Sequence, residues 1–108
     1  MKYVKIAKVS DFETNRFRGF SLLATKVGIF RGEDGDLFAT ELVCKHQNWD
    51  LSTGRIDDNL CTCPRHGWQY DLRTGECLNH DSAPLRRYGL KCDGDDLYIT
   101  LRPLGVEP

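Results

Sequence analysis

Cys44-Lys45-His46 and Cys63-Pro64-Arg65-His66 each set a cysteine close to a histidine, and 16 residues separate His46 from Cys63. A chain that brings these segments together gathers two thiols and two imidazoles, four soft or borderline metal ligands supplied by two short loops. That requirement constrains the fold more than any other feature. Two loops must be carried side by side by a scaffold that holds their ends. All three histidines (His46, His66, His80) lie in the same stretch. The five cysteines are an odd number in a chain whose first residues, Met1 to Lys8, alternate charged and apolar side chains without the apolar run of a signal peptide. Cofactor ligation or reduced thiols is therefore a better reading than a disulfide framework, and the expected location is the cytoplasm.

The rest of the chain reads as that scaffold. Short strand-like runs recur between turn signals, nothing has the period of a long amphipathic helix, and the expected class is all-β. In Leu97-Tyr98-Ile99-Thr100-Leu101 alternate apolar residues share a face, and Asp93-Gly94-Asp95-Asp96 turns it back onto a run around Tyr88, Leu90 and Cys92. Gly32–Asp36 separates Thr25–Arg31 from Leu37–Val43 as a second hairpin. Tyr3–Val9 is a first strand, and Asp11-Phe12-Glu13 a short helical turn. Between about 43 and 84 the chain becomes loop-rich, with short apolar runs (Asn59–Cys63, Trp68–Asp71) among Gly54, Pro64, Gly67, Gly75 and Pro84. At 108 residues this is one domain. It has basal antiparallel sheets from about 1–42 and 85–108, and an inserted lobe that carries both ligand segments.

Composition excludes some functions. A net charge of −1 lacks the basic excess of a nucleic-acid binder. No apolar run approaches the roughly 20 residues that cross a bilayer. Nothing resembles a nucleophile with its base, so no catalytic residue is expected. The ligand order also bears on the metal. Structural zinc sites usually pair like ligands, Cys with Cys and His with His, whereas each segment here mixes the two. A mononuclear Cys2His2 zinc module remains the structural alternative.

Cys-x-His followed by Cys-x-x-His is similar to the signature of the Rieske [2Fe–2S] family, and Cys63-Pro64-Arg65-His66-Gly67-Trp68 resembles its second box. Ser82-Ala83-Pro84-Leu85 resembles the family's proline-containing covering loop, and Asp71–Glu76 the turn after the second box. The resemblance implies one [2Fe–2S] cluster, with Cys44 and Cys63 on one iron and His46 and His66 on the other. Cys61, Cys77 and Cys92 are then small packing residues and His80 an ordinary loop histidine. Trp49 and Trp68 flank the ligand loops as shields or packing residues.

It also implies a subtype. In high-potential members a disulfide joins the ligand loops; the matching positions here are Trp49 and Arg65, so it cannot form. The serine that bonds a bridging sulfide is replaced by Trp68, while Tyr70 matches a tyrosine that bonds a cysteine sulfur. The expected potential lies toward about −150 mV rather than about +300 mV, falling at alkaline pH as ligand imidazoles lose protons. Arg65, inside a ligand loop, is expected at the cluster edge, where it would favour acidic partners. A free-standing chain of this size resembles the ferredoxins that carry electrons from a flavin-containing reductase to a terminal oxygenase or similar acceptor. A small subunit of a multicomponent oxidoreductase, such as assimilatory nitrite reductase, is the second possibility.

Overall fold

The structure, a computed structural model, describes residues 2–32, 34–45, 50–51, 54–57 and 59–104. Strands run in the order β1 (Tyr3–Lys8), β2 (Phe17–Leu22), β3 (Thr25–Arg31), β4 (Leu37–Glu41), β5 (Arg55–Asp57), β6 (Leu60–Thr62), β7 (Gln69–Asp71), β8 (Arg87–Tyr88), β9 (Leu90–Asp93) and β10 (Asp96–Thr100). The expected helical turn is a 3-10 turn at Val9–Phe12, and among the described residues there is no α-helix. The strands form three antiparallel sheets, ordered β1-β10-β9, β2-β3-β4-β8 and β5-β6-β7.

Both expected hairpins are present. β3 and β4 pair with Phe30 opposite Phe38, rings stacked at 5.3 Å. β9 and β10 pair about the Gly94 turn. Two features were not anticipated. β1 pairs with β10, so the two ends of the chain share one sheet. β2 adds an edge to β3, through a turn in which Leu23 takes a left-handed backbone (φ 55°) while 74% exposed.

The first two sheets pack face to face over a core of Phe12, Leu22, Val27, Ile29, Ala39, Tyr88, Leu97 and Ile99. Their apolar side chains leave water on one face of each strand, the main drive for sheets to stack. β3 is buried on both faces. Val27 and Ile29 enter this base core, whereas Phe30 points the other way into a second core with Leu42, Cys44, Leu51, Cys61, Cys63, Tyr70, Leu72 and Leu85. That second core fixes the β5-β6-β7 lobe and contains two of the four candidate ligands.

Candidate metal centre

The first ligand segment leaves the base where β4 ends. Leu51 N–H donates to the Leu42 carbonyl at 2.9 Å, and Val43 bridges Asp50, so the two ends of the segment lie side by side. Cys44 sits at its root with no exposed surface. His46 and Trp49 lie outside the described residues.

The second segment is a tight loop between β6 and β7. Cys63 N–H donates to the Trp68 carbonyl at 2.7 Å, and Gly67 N–H returns to the Cys63 carbonyl at 3.1 Å. Closing so short a loop needs a left-handed residue, and Gly67 supplies it at φ 74°. The loop points outward: Cys63 is buried at its base, whereas Pro64, Arg65, His66 and Gly67 are exposed.

Tyr70 joins the two loops. From β7 its ring fills the second core, and its hydroxyl accepts the Lys45 N–H at 3.0 Å and lies 3.5 Å from Cys44 Sγ. With one lone pair taken by Lys45, the hydroxyl hydrogen is free to donate to the sulfur. A cysteine acting as a metal ligand is a thiolate that can only accept. Burial, and the tie to Cys44, push the Tyr70 phenol above its usual range.

Cys61 is also buried, on β6 opposite Ile56 and Tyr70. Its thiol is pushed up to about 12, first by burial, then by Cys63 and Cys44. Cys44, Cys61 and Cys63 all belong to the second core. Cys61 turns its Sγ toward the Leu51 carbonyl at 3.8 Å, so it serves as packing, as expected. Cys77, half-buried, also packs against the second core. Cys92 needs correction: it is exposed, on β9 at the outer edge of its sheet. His80 is no bystander either: its ring stacks on Trp68 with centroids 4.3 Å apart.

Sequence reasoning also missed Asn79. Its Oδ1 accepts the Gln69 N–H and its Nδ2 donates to the Gly67 carbonyl, both at 3.0 Å, so one side chain grips the backbone on either side of Trp68. Behind the site, the turn after β7 is bound to the covering loop. Leu85 N–H donates to the Gly75 carbonyl at 2.7 Å, burying Leu85 and leaving Pro84 at the surface just before it.

The donor set suits a two-iron, two-sulfide group. Two thiols are buried at the roots of the two segments, with a hydroxyl donor beside one, and an imidazole stands at the exposed tip of the second.

Known proteins agree with this reading. A family model described as the Rieske [2Fe-2S] domain matches residues 2–89. The ferredoxin component of biphenyl 2,3-dioxygenase from Rhodococcus jostii (strain RHA1) is 35% identical over 68 residues, 62% of this chain and 64% of that protein. The chain thus spans under two thirds of that relative. The biphenyl dioxygenase ferredoxin subunit of Pseudomonas sp. (strain KKS102) is 31% identical over 101 residues, 92% of each chain. The structure of the ferredoxin of carbazole 1,9a-dioxygenase from Nocardioides aromaticivorans IC177 superposes with a TM-score of 0.76, covering 92% of this chain and 97% of that one at 22% identity, a likeness of fold.

Proposed function

This chain belongs to the Rieske [2Fe–2S] family, and on that premise we propose that it is a ferredoxin, a one-electron carrier rather than an enzyme. It takes an electron from a flavin-containing reductase and delivers it to a terminal oxygenase or similar acceptor. The observation that carries this is the polarity of the site: thiols buried in the second core, and an exposed loop tip bearing His66. One [2Fe–2S] cluster, when bound, supplies the one-electron couple. The ligand set we assign is Cys44, His46, Cys63 and His66, on a single domain over 1–108 whose cluster-bearing lobe is about 43–84.

The chain's own residues do the rest. Tyr70 ties the first ligand loop to β7 and donates toward Cys44 Sγ. Gly67 and Asn79 hold the second loop in shape. Pro64, Arg65 and His66 form the exposed edge through which an electron reaches a docked partner. Trp68 stands where a serine would raise the potential, which supports the low-potential form. Among the described residues no helix is long and apolar enough to cross a membrane. Five unpaired thiols suit the reducing cytoplasm, where we place it.

The test is a purified protein analysed for iron and acid-labile sulfide. Two of each per chain, a red-brown colour and reversible one-electron reduction are expected. A colourless, zinc-containing protein refutes the reading. Salt-sensitive, transient binding to a reductase and an oxygenase is the carrier's behaviour. Stable co-purification with a large flavin or sirohaem polypeptide would instead mark a subunit of a reductase.

A further inference from the structure

One ion pair stands apart from the others. Lys45, between the assigned ligands Cys44 and His46, places its ammonium 2.5 Å from Glu41 Oε1, with side chains only 24% and 11% exposed. The other ion pairs described, such as Lys5–Asp96 and Arg55–Asp57, each have at least one side chain more than half exposed or, for Arg18–Asp11, both more than a third exposed. Glu41 is moreover held in place. It is the last residue of β4, its own N–H donates to the Arg86 carbonyl at 2.8 Å, and its Oε1 accepts the Arg86 N–H at 2.8 Å. Its carboxylate is therefore fixed by the backbone beyond the covering loop, and it fixes in turn the side chain of a residue inside the first ligand loop.

We propose that Glu41 and Lys45 are an opposed pair of charges beside the site, each shifting its reduction potential in its own direction, Lys45 toward the reduced state and Glu41 toward the oxidised state. The inference rests on the reading that Cys44 is a ligand. Uptake of one electron adds one negative charge to the group that the two segments would hold. A fixed cation on the adjoining residue favours the reduced state, and a fixed anion disfavours it. Charges this deeply seated are screened by salt much less than surface ones, so each member exerts a pull and the pair together nearly cancels. Arg86 and Arg102 line the same groove as Glu41 but are exposed, and solvent damps them.

The consequence is an opposite-sign pattern that a purely structural strut would not produce. Glu41→Gln keeps an acceptor for the Arg86 N–H while removing the negative charge, so the midpoint rises. Lys45→Gln removes the positive charge and lowers it. Each shift is about threefold in the reduction equilibrium, which is about 28 mV at about 59 mV per tenfold for one electron. The double variant returns close to the parent, and Lys45→Arg matches it. Holoproteins are titrated with redox mediators, with iron and sulfide counted beforehand. Shifts of the same sign, or none, in variants that keep the cluster overturn the proposal. Loss of the cluster from both single variants also overturns it, leaving the pair a scaffold for the loop. If Glu41→Gln alone loses the cluster, the fall in Lys45→Gln and its recovery in Lys45→Arg decide. A parent protein without iron and sulfide would refute the ferredoxin reading instead, a separate failure.

Discussion

Removing one oxygen from the second core tests how the two ligand loops are joined. Tyr70→Phe leaves the ring in place among Leu42, Leu51, Leu72 and Leu85, so apolar packing is retained and only the hydroxyl's two contacts are lost. The Lys45 N–H, 3.0 Å from that oxygen and partly buried, is left without its acceptor. An orphaned donor of this kind costs about 1–3 kcal/mol. For a domain of this size each kcal/mol corresponds to about 4 °C in melting temperature. The contact to Cys44 Sγ at 3.5 Å acts on the redox couple instead. Reduction places more negative charge on the sulfur, so the hydroxyl donates more strongly to the reduced state, and its loss lowers the potential. If the bond strengthens by about 1 kcal/mol on reduction, the fall is about 40 mV, since about 1.4 kcal/mol is tenfold and tenfold is about 59 mV for one electron. Calorimetry and a mediated redox titration at fixed pH measure the two effects separately. An unchanged or higher potential, with iron and sulfide intact, would show that the hydroxyl does not donate to Cys44.

Asn79→Ala releases the Gly67 carbonyl and the Gln69 N–H, and at about 0.5–1.5 kcal/mol per bond the second loop should open more often. Visible absorbance under an iron chelator should bleach faster than in the parent; equal bleaching rates would count against the clamp. Gly75→Ala should be among the most damaging single changes, since a Cβ there would lie 2.3 Å from the Leu85 carbonyl oxygen on a backbone at φ 83°. A melting temperature within a degree or two of the parent's would contradict that. Thiol labelling at pH 8 followed by peptide mapping should find Cys92 modified first and Cys61 untouched, because Cys92 is exposed while burial pushes Cys61 up to about 12. Comparable labelling of both would show that the second core opens readily. Asp95, whose carboxylate accepts from Ser10 Oγ at 2.7 Å and Ser10 N–H at 2.9 Å, is held below the usual carboxylate range mainly by those bonds. Its contribution is complete above the unfolded value of about 3.9 and is lost as pH falls through the lower folded value. The stability gap between the parent and Ser10→Ala should therefore shrink on acidification below about pH 4, and a gap that widened would reverse the sign of the argument.

How far the sequence was legible depended on whether a feature is local. Cys63 to Trp68 is a closed loop six residues long, and Cys63, Pro64, His66 and Gly67 stand within one short run of sequence, so its shape could be read. The hairpins were equally local, each marked by a Gly-Asp turn between alternating runs. The pairing of β1 with β10 joins residues from opposite ends of the chain, and no turn signal announces such a contact. β2 escaped notice because Gly19 interrupts its alternation, and because the turn that ends it uses Leu23 where a glycine or asparagine would advertise a left-handed backbone. Cys92 was misjudged for a related reason. A cysteine opposite buried Leu97 looks like a core residue until the sheet order shows β9 on the outside.

The same distinction explains why the proposed ligands stand out in the sequence and their support does not. A ligand's identity is dictated by the metal, which accepts few side chains, so the constraint appears in the residue itself. A supporting residue is chosen by geometry that arises only after folding. Asn79, Glu41 and His80 are ordinary loop and strand-end residues by sequence. Glu41 and Lys45 even have the spacing of a helical ion pair, yet here the pair spans the end of a strand and the start of a loop. All three act within two residues of a proposed ligand: Asn79 at Gly67, His80 at Trp68, Glu41 at Lys45. The two ligand loops thus depend on groups from β4, β7 and the covering segment after Cys77. The redox properties of the site should follow those neighbours as closely as the ligands themselves, because a ligand can be fully present while a misplaced charge or hydrogen bond beside it changes the energy of the added electron.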